Sequence, residues 1–345
     1  MEPQFMDPLD RRIVHALLVA PRASFRDLAA VLGTSDQTVA RRYRTMQAEL
    51  DLRVSGSLRE TRLGWDRWTV RVTATPDAAV PLAETLAARR DTSWVRLASG
   101  GTQVLCAMQT RTPEDRSALL DRTGLLLDRL RTGRRVVGIS ANLMLNVFSP
   151  DAWSWLSSAL SDEEVAALAR HAPGHPDHPD HPDHPGHPAA GRARLSEADE
   201  ALVGLLRADG RASAASLAAA TGWHESTVRR RIAQLTSSGA LQFDVDLDEE
   251  AIGIEATAYL WLSVDPGALD ATGRQIARHH QAPFVAAITG PANLLVSVTC
   301  RDASHLYRYL TEQLGQIPAV RAIESVPIVK TYKRTALVRP RSGGS

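Results

Sequence analysis

Two periodicities alternate along this chain. In the first fifty residues apolar side chains return every three or four positions. Ile13, Leu17 and Leu18 give one helix its apolar face, and Ser24 opens a second whose face is Phe25, Leu28 and Leu32. Gly33 permits a sharp turn, and Ser35 is an N-cap for a third helix running to about Gln47. At about 100° per residue, Val39, Tyr43 and Met46 fall on one side of that helix, with Gln37, Arg41 and Arg44 on the other. The period then drops to two. Trp68 to Ala74 alternates as a half-buried strand, PDAAVPLAETLAARR reads as a helix, and strands follow near Trp94 to Ala98 and Gln103 to Met108. A helix from about Pro113 to Leu130 and a strand from Val136 to Val147 complete the series.

The whole pattern then repeats. At a shift of 189 residues, TVARRYRTM returns as TVRRRIAQL, and eleven of the 22 positions from Arg22 to Tyr43 are identical. In the second copy the third helix buries Val228, Ile232 and Leu235 and turns Ser226 and Arg230 outward. His224 stands where Ser35 stood and is a weaker cap. The second tail gives strands at Ala256 to Val264, Phe284 to Ile288, Leu294 to Thr299 and Val320 to Tyr332. Its helices run up to His280 and from Ala303 to Leu314. VRLASGGTQVLCAM also resembles VAAITGPANLLVSV, with Gly100 on Gly290.

Between the copies, Pro at nearly every third position from His171 to Gly191 excludes helix and sheet, which makes a linker. Before it, SPDAWSWLSSAL and SDEEVAALAR read as short helices, the second with Ser161 and Glu164 as a capping box. His175, His178, His181, His184 and His187 share one face of a polyproline II segment, but neighbours lie roughly 9 Å apart there. Ligands of one zinc ion each sit about 2 Å from it, so a straight linker is a spacer and not a metal site.

Composition adds limits. The 345 residues carry a formal net charge of +1, so a polyanionic partner needs a local basic patch and not a general one. Cys106 and Cys300 lie in apolar alternating runs and make no disulfide framework. A reduced cytoplasm is therefore expected, with no leader and no stretch of the roughly 18 apolar residues that span a bilayer.

Two helices joined by a glycine turn, the second with a polar N-terminus and an arginine face, form the helix-turn-helix pattern for double-stranded DNA. The candidate DNA-binding residues are Ser35, Gln37, Thr38, Arg41, Arg42 and Arg44, and in the second copy His224, Ser226, Thr227, Arg229, Arg230 and Arg231. Gln37 suits adenine and Arg41 guanine, whereas Arg42 and Arg44 suit the phosphate backbone.

LDRRIVHALL with RASFRDLAAVLGTSDQTVARRYRTM, and SEADEALVGLLRADGRASAASLAAATGWHESTVRRRIAQLTSSGALQF, resemble the DNA-binding domain of the Lrp/AsnC family of transcription regulators. The resemblance implies an α+β chain with two winged-helix or helix-turn-helix heads, over 7–55 and 194–246. Each is followed by a ligand-sensing, ferredoxin-like βαββαβ domain, over 65–150 and 253–335, with a helical segment and linker over 151–192 between them. It also implies a small effector, often an amino acid or related acid, near the loop joining the second and third strands of each tail. Here those loops offer Gly100, Gly101 and Gln103, and Gly290, Pro291 and Asn293. Family members assemble as dimers or rings from one head and one tail per chain. This chain is therefore expected to be a pseudo-dimer, or to oligomerise further, and to read two unequal half-sites. The first head lacks the glycine turn of Ser238-Gly239-Ala240-Leu241 and has Glu49-Leu50-Asp51-Leu52 instead.

Two other classes compete. Some siroheme decarboxylases share this architecture, but neither an arginine-rich strand after the head nor their tyrosine and histidine pattern is evident in the sequence. His15, His224, His279, His280 and His305 are scattered, and no nucleophile, metal-ligand or phosphate-loop motif stands out, so no catalytic residue, metal or cofactor is assigned. An interaction module with degenerate heads is disfavoured by arginine faces in both copies.

Overall fold

Side-chain caps set the helix starts in both heads, except at the third helix of the second. The structure, a computed structural model, describes residues 6–89, 91–111, 135–148, 159–171 and 195–334. In the first head, α1 (Pro8–Val19) starts at Asp7, α2 (Phe25–Leu32) at a Ser24–Asp27 capping box and α3 (Asp36–Glu49) at Ser35, whose oxygen accepts the Thr38 N–H. Gly33 ends α2 in the left-handed conformation. Asp51 takes the turn that glycine makes in the second head, with φ of 47°, and leads into β1 (Arg53–Leu58) and the short α4 (Glu60–Leu63). The first tail is β2 (Asp66–Ala74), α5 (Pro76–Ala87), β3 (Thr92–Ala98), β4 (Gln103–Thr110) and β5 (Val136–Val147). Then come α6 (Asp162–Ala169) and the second head, α7 (Glu197–Ala208), α8 (Ala214–Thr221), α9 (Glu225–Ser237) and β6 (Leu241–Asp246). The second tail is β7 (Ala256–Val264), α10 (Leu269–Ile276), β8 (Phe284–Ile288), β9 (Leu294–Cys300), α11 (Ala303–Arg308) and β10 (Val320–Thr331). The helix expected to Leu314 widens after Arg308 into a π turn and a final 3-10 turn. The helix expected over 113–130, the one begun at Ser149 and the linker histidines lie outside the described residues.

The chain divides into two units that cut across the repeat. One holds both heads and α6, within Met1–Gly64 and Leu156–Ile252. The other holds both tails, within Trp65–Trp155 and Gly253–Arg334.

In the head unit β1 and β6 pair antiparallel from Arg53 opposite Asp246 to Leu58 opposite Leu241. Gly56 lets this ribbon lie against α7, since a Cβ there would meet the Leu206 Cβ at 2.9 Å. A reciprocal clasp joins the two turns after the first helices. Arg22 donates to the Gly210 and Ala212 carbonyls, and its counterpart Arg211 donates to those of Pro21 at 2.5 Å and Ala23 at 2.7 Å. Arg211 also lies over the rings of Phe25 and Tyr43, at 4.9 and 5.5 Å. Helix α6, opened by the expected Ser161–Glu164 capping box, packs on α1 and α2 of the first head. Glu164 accepts from Arg12 at 2.5 Å, Leu168 is fully buried, and the Leu160 N–H donates to Nδ1 of buried His15 at 3.0 Å.

In the tail unit each tail is an antiparallel sheet with its third strand between the first and second, and its fourth beside the first. The two sheets join at both edges, β5 to β8 and β10 to β3, and close a barrel ordered β10-β3-β4-β2-β5-β8-β9-β7. Alternation along the strands divides their side chains. Val70 and Val72 of β2, with Cys106 of β4, pack under α5. Leu260 and Leu262 of β7 pack with Ile276 and Tyr309 in the second tail. The opposite faces meet around Leu105, Trp261, Ile288, Leu295 and Val326.

Candidate nucleic-acid interface and effector loops

Burial of one face fixes what the third helix of each head offers to the outside. In α3, Val39, Tyr43 and Met46 are 0, 7 and 1 % exposed, and in α9 Val228, Ile232 and Leu235 are likewise buried. That orientation leaves Ser35, Gln37, Arg41 and Arg44 exposed on the first head, and His224, Ser226, Arg229 and Arg230 on the second, with Thr38 and Thr227 half-buried. Ser35 spends its oxygen on the cap, whereas His224 makes no side-chain cap. Arg229 pairs with Glu225 one turn earlier, at 2.6 Å.

Two of the expected DNA ligands turn inward instead. Arg42 donates to Asp10 at 3.2 Å and to Asp7 at 3.3 Å, and its counterpart Arg231 grips Asp199 with two bonds, of 2.5 and 2.6 Å. Asp10 and Asp199 are themselves equivalent positions, so each head ties its third helix to the start of its first. The carboxyl of Asp199 is held down at about 2, first by the bonds from Arg231 and then by those from Ser196, against the cost of burial. Asp10 goes the other way, because burial outweighs Arg42 and raises it. The two ties are alike in place and unequal in strength. Sequence spacing shows a basic residue on a helix flank but not the carboxylate across from it, which belongs to another helix.

The effector loops differ from each other more than their sequences suggest. Between β3 and β4, Ser99, Gly100 and Gly101 all have positive φ, of 51°, 65° and 88°, and the space around both glycines is open. The Thr102 hydroxyl closes the turn on the Ser99 carbonyl at 2.8 Å. Beside it Gln103 is half-buried, and its Oε1 has no hydrogen-bond partner among the described residues. Between β8 and β9, Gly290 has φ of 118° and lies against Asn142 of β5, whose amide donates to the Thr289 carbonyl. Thr289 and Leu143 exchange two further bonds of 2.9 Å. The Asn293 side chain clamps both backbone groups of Val264, at 2.8 and 2.7 Å, and the Pro291 carbonyl accepts from Ser263. Asn293 is thus spent on the fold, and a side chain at Gly290 would meet Asn142, whereas the Cβ positions of Gly100 and Gly101 have nothing within 4 Å.

With these geometries in place the relatives are informative. Residues 6–47 and 195–236 each match the AsnC-type helix-turn-helix domain, and residues 257–338 match the Lrp/AsnC ligand binding domain. The chain belongs to the Lrp/AsnC family. It is 28% identical over 145 residues to the HTH-type transcriptional regulator FL11 of Pyrococcus horikoshii, an alignment spanning 42% of this chain and 95% of that one. Transcriptional regulator AzlB of Bacillus subtilis is 24% identical over 148 residues, or 42% of this chain and 94% of that relative. Both are about half as long, as expected for one head and one tail per chain. A likeness over the whole length comes from the crystal structure of the siroheme decarboxylase NirDL. Its TM-score is 0.63 at 13% identity, covering 98% of this chain and 95% of that one, which shows a shared fold and nothing of chemistry.

Elsewhere in this Lrp/AsnC chain reactive groups are sequestered. Burial pushes the thiols of Cys106 and Cys300 up to about 12 and about 11. His279 meets the Tyr309 hydroxyl at 3.1 Å inside the second tail. Among the described residues no cluster of His, Cys, Asp and Glu is arranged to hold a metal ion, and no helix is long and apolar enough to cross a membrane.

Proposed function

We propose that this protein is a sequence-specific, DNA-binding transcriptional regulator of the cytoplasm in which the two heads of one chain form one reading unit. The observation that carries this is the head pairing, in which the β1–β6 ribbon and the Arg22–Arg211 clasp hold two exposed recognition helices in one unit. Gln37 and Arg41 of the first head, and Ser226 and Arg230 of the second, are the base-reading candidates. Arg44 and Arg229 are the phosphate contacts, while Arg42 and Arg231 hold the heads in shape. Because Gln37 is replaced by Ser226, and Arg44 by Ala233, the operator is two unequal half-sites. A small carboxylate effector, an amino acid or related acid, is assigned to the open loop at Gly100, Gly101 and Gln103.

Fluorescence anisotropy on DNA from upstream of the gene, against scrambled DNA over a salt series, tests the reading. One chain per site is expected, with Arg41→Ala and Arg230→Ala each reducing the negative log-log salt slope by about one if that arginine meets phosphate, or relaxing sequence preference if it meets a base. No attraction to either DNA at low salt would end the proposal. The competing enzyme reading, a tetrapyrrole decarboxylase, rests on the whole-chain likeness to NirDL. Tight binding of an iron-uroporphyrin with no DNA binding would favour it. The arginines in the barrel are engaged otherwise: Arg67, Arg71 and Arg96 lie over the rings of Phe284, Trp261 and Tyr259.

A further inference from the structure

The two halves are related by duplication, yet their pairing surfaces are not alike. Through β2 and β7, β3 and β8, and β4 and β9, equivalent residues lie 190 apart, as the matched registers Val70 to Cys106 and Leu260 to Val296 show. Arg71 is therefore the counterpart of Trp261, and inside the barrel it stacks on that ring at 4.7 Å. Arg71 also pairs with Glu324 at 2.6 Å. Glu324 sits opposite Trp261 in its own sheet, at the place where Ser140 sits opposite Arg71 in the other. Arg96, 2 % exposed, lies over Tyr259 at 5.2 Å and reaches Ser297 at 3.4 Å, and the counterparts of those two residues in the first tail are Thr69 and Ala107. Arg67 lies over Phe284 at 5.8 Å. In each of these contacts the cation comes from the first tail and the ring, hydroxyl or carboxylate from the second, although Arg96 also lies over Trp94 of its own tail at 4.9 Å.

The heads carry a complementary bias. Ser55 and Asp244 are equivalents at a shift of 189 and stand directly opposite each other in the ribbon. Asp244 accepts from Ser57 at 2.5 Å, Arg53 stands opposite Asp246, and Arg59 donates to Gln242 at 2.7 Å. The acidic side chains are on β6 and the basic ones flank β1.

We infer that each half of this chain is built to pair with the other half and to reject a copy of itself. Two first tails in the same geometry set Arg71 against Arg71, with Ser140 where the carboxylate was. Arg96 keeps the Trp94 ring of its own tail but loses the Tyr259 ring and the Ser297 hydroxyl. Two guanidinium groups brought face to face without the Glu324 carboxylate repel each other, so that pairing fails. Two second heads set Asp244 against Asp244 in adjacent strands, where directly opposed like charges destabilise a sheet. The first half is thus barred at its tail and the second half at its head. The partner that fits either surface is the other half, from the same chain or exchanged between two chains, and the linker sets proximity while the side chains set identity.

A specific protease site placed between His175 and His187 of the full chain tests this. After folding and cleavage, native mass spectrometry of the cut protein, mixed with an isotope-labelled cut copy, is expected to show only complexes of one first half with one second half. Homodimers of either half, or free fragments at micromolar concentration, overturn the inference. Trp261→Arg is expected to weaken the cut complex at least tenfold, and adding Arg71→Trp to return it to within threefold of the parent. If Trp261→Arg dissociates no more readily than the parent, or the double exchange gives no rescue, the side chains do not select the partner.

Discussion

Arg230 and Arg231 are neighbours on α9, and replacing each with alanine separates reading from holding. Arg231 makes two bonds to Asp199, a carboxylate whose side chain is 2 % exposed. Lowering that carboxyl from its ordinary 3.8 to about 2 corresponds to roughly 2.4 kcal/mol of stability at neutral pH. Removing one partner of a buried pair typically costs about 3–5 kcal/mol, because the remaining charge keeps its desolvation penalty. Ser196 still donates to Asp199 from its backbone and its hydroxyl, at 2.8 Å each, which moderates the loss. Arg231→Ala is therefore expected to destabilise the second head by about 2–4 kcal/mol at pH 7. The pH dependence has a defined sign. A carboxyl with a depressed folded pKa stabilises above its unfolded value and loses that contribution as pH falls through about 2. The gap between parent and variant should hold from pH 7 to about 5 and close below that. Urea unfolding followed by far-UV circular dichroism measures the gap, and hydrogen exchange over residues 197–237 localises it. Arg230→Ala, at an exposed position, should shift stability by less than about 0.5 kcal/mol while weakening DNA binding. The reasoning is refuted if Arg231→Ala leaves stability unchanged and weakens DNA binding as much as Arg230→Ala does.

Other expectations are briefer. Because His15 Nδ1 accepts the Leu160 N–H and burial lowers its pKa, α6 should be fully docked above about pH 6.5 and loosen as pH falls below it. Exchange protection over residues 159–171 that does not change between pH 7.5 and 5, after correction for intrinsic rates, would contradict this. Gly210→Ala brings a methyl within 2.8 Å of the Val54 carbonyl and should cost about 1–3 kcal/mol in urea unfolding. Gly204→Ala, inside α7 with nothing within 4 Å, should instead add roughly 0.5–1 kcal/mol. With their thiols pushed to about 12 and about 11, Cys106 and Cys300 should react with a thiol reagent at pH 8 only as the protein unfolds. Fast labelling of the native protein would count against their burial.

What the sequence settled was local. Helix starts at Ser24, Ser35 and Ser161, the turn at Gly33, the buried stripe of Val39, Tyr43 and Met46, and the strand at Ala256–Val264 follow from caps and periodicity within a few residues. Those signals depend only on neighbours in the chain, and the duplication let one copy check the other. Tertiary structure decided what meets across long separations. Helix phase in TVARRYRTM keeps Arg41 on the outer face and sets Arg42 beside the buried stripe, but nothing in it says that Arg42 meets Asp10, because that carboxylate belongs to another helix. Likewise nothing in Arg22 or Arg211 marks a clasp, since their acceptors are backbone carbonyls that leave no trace in side-chain identity. The opposed pairs Arg71 with Trp261 and Ser55 with Asp244 were written in the sequence as differences between the copies. Only the closed barrel and the ribbon, by bringing equivalent positions face to face, turned those differences into contacts.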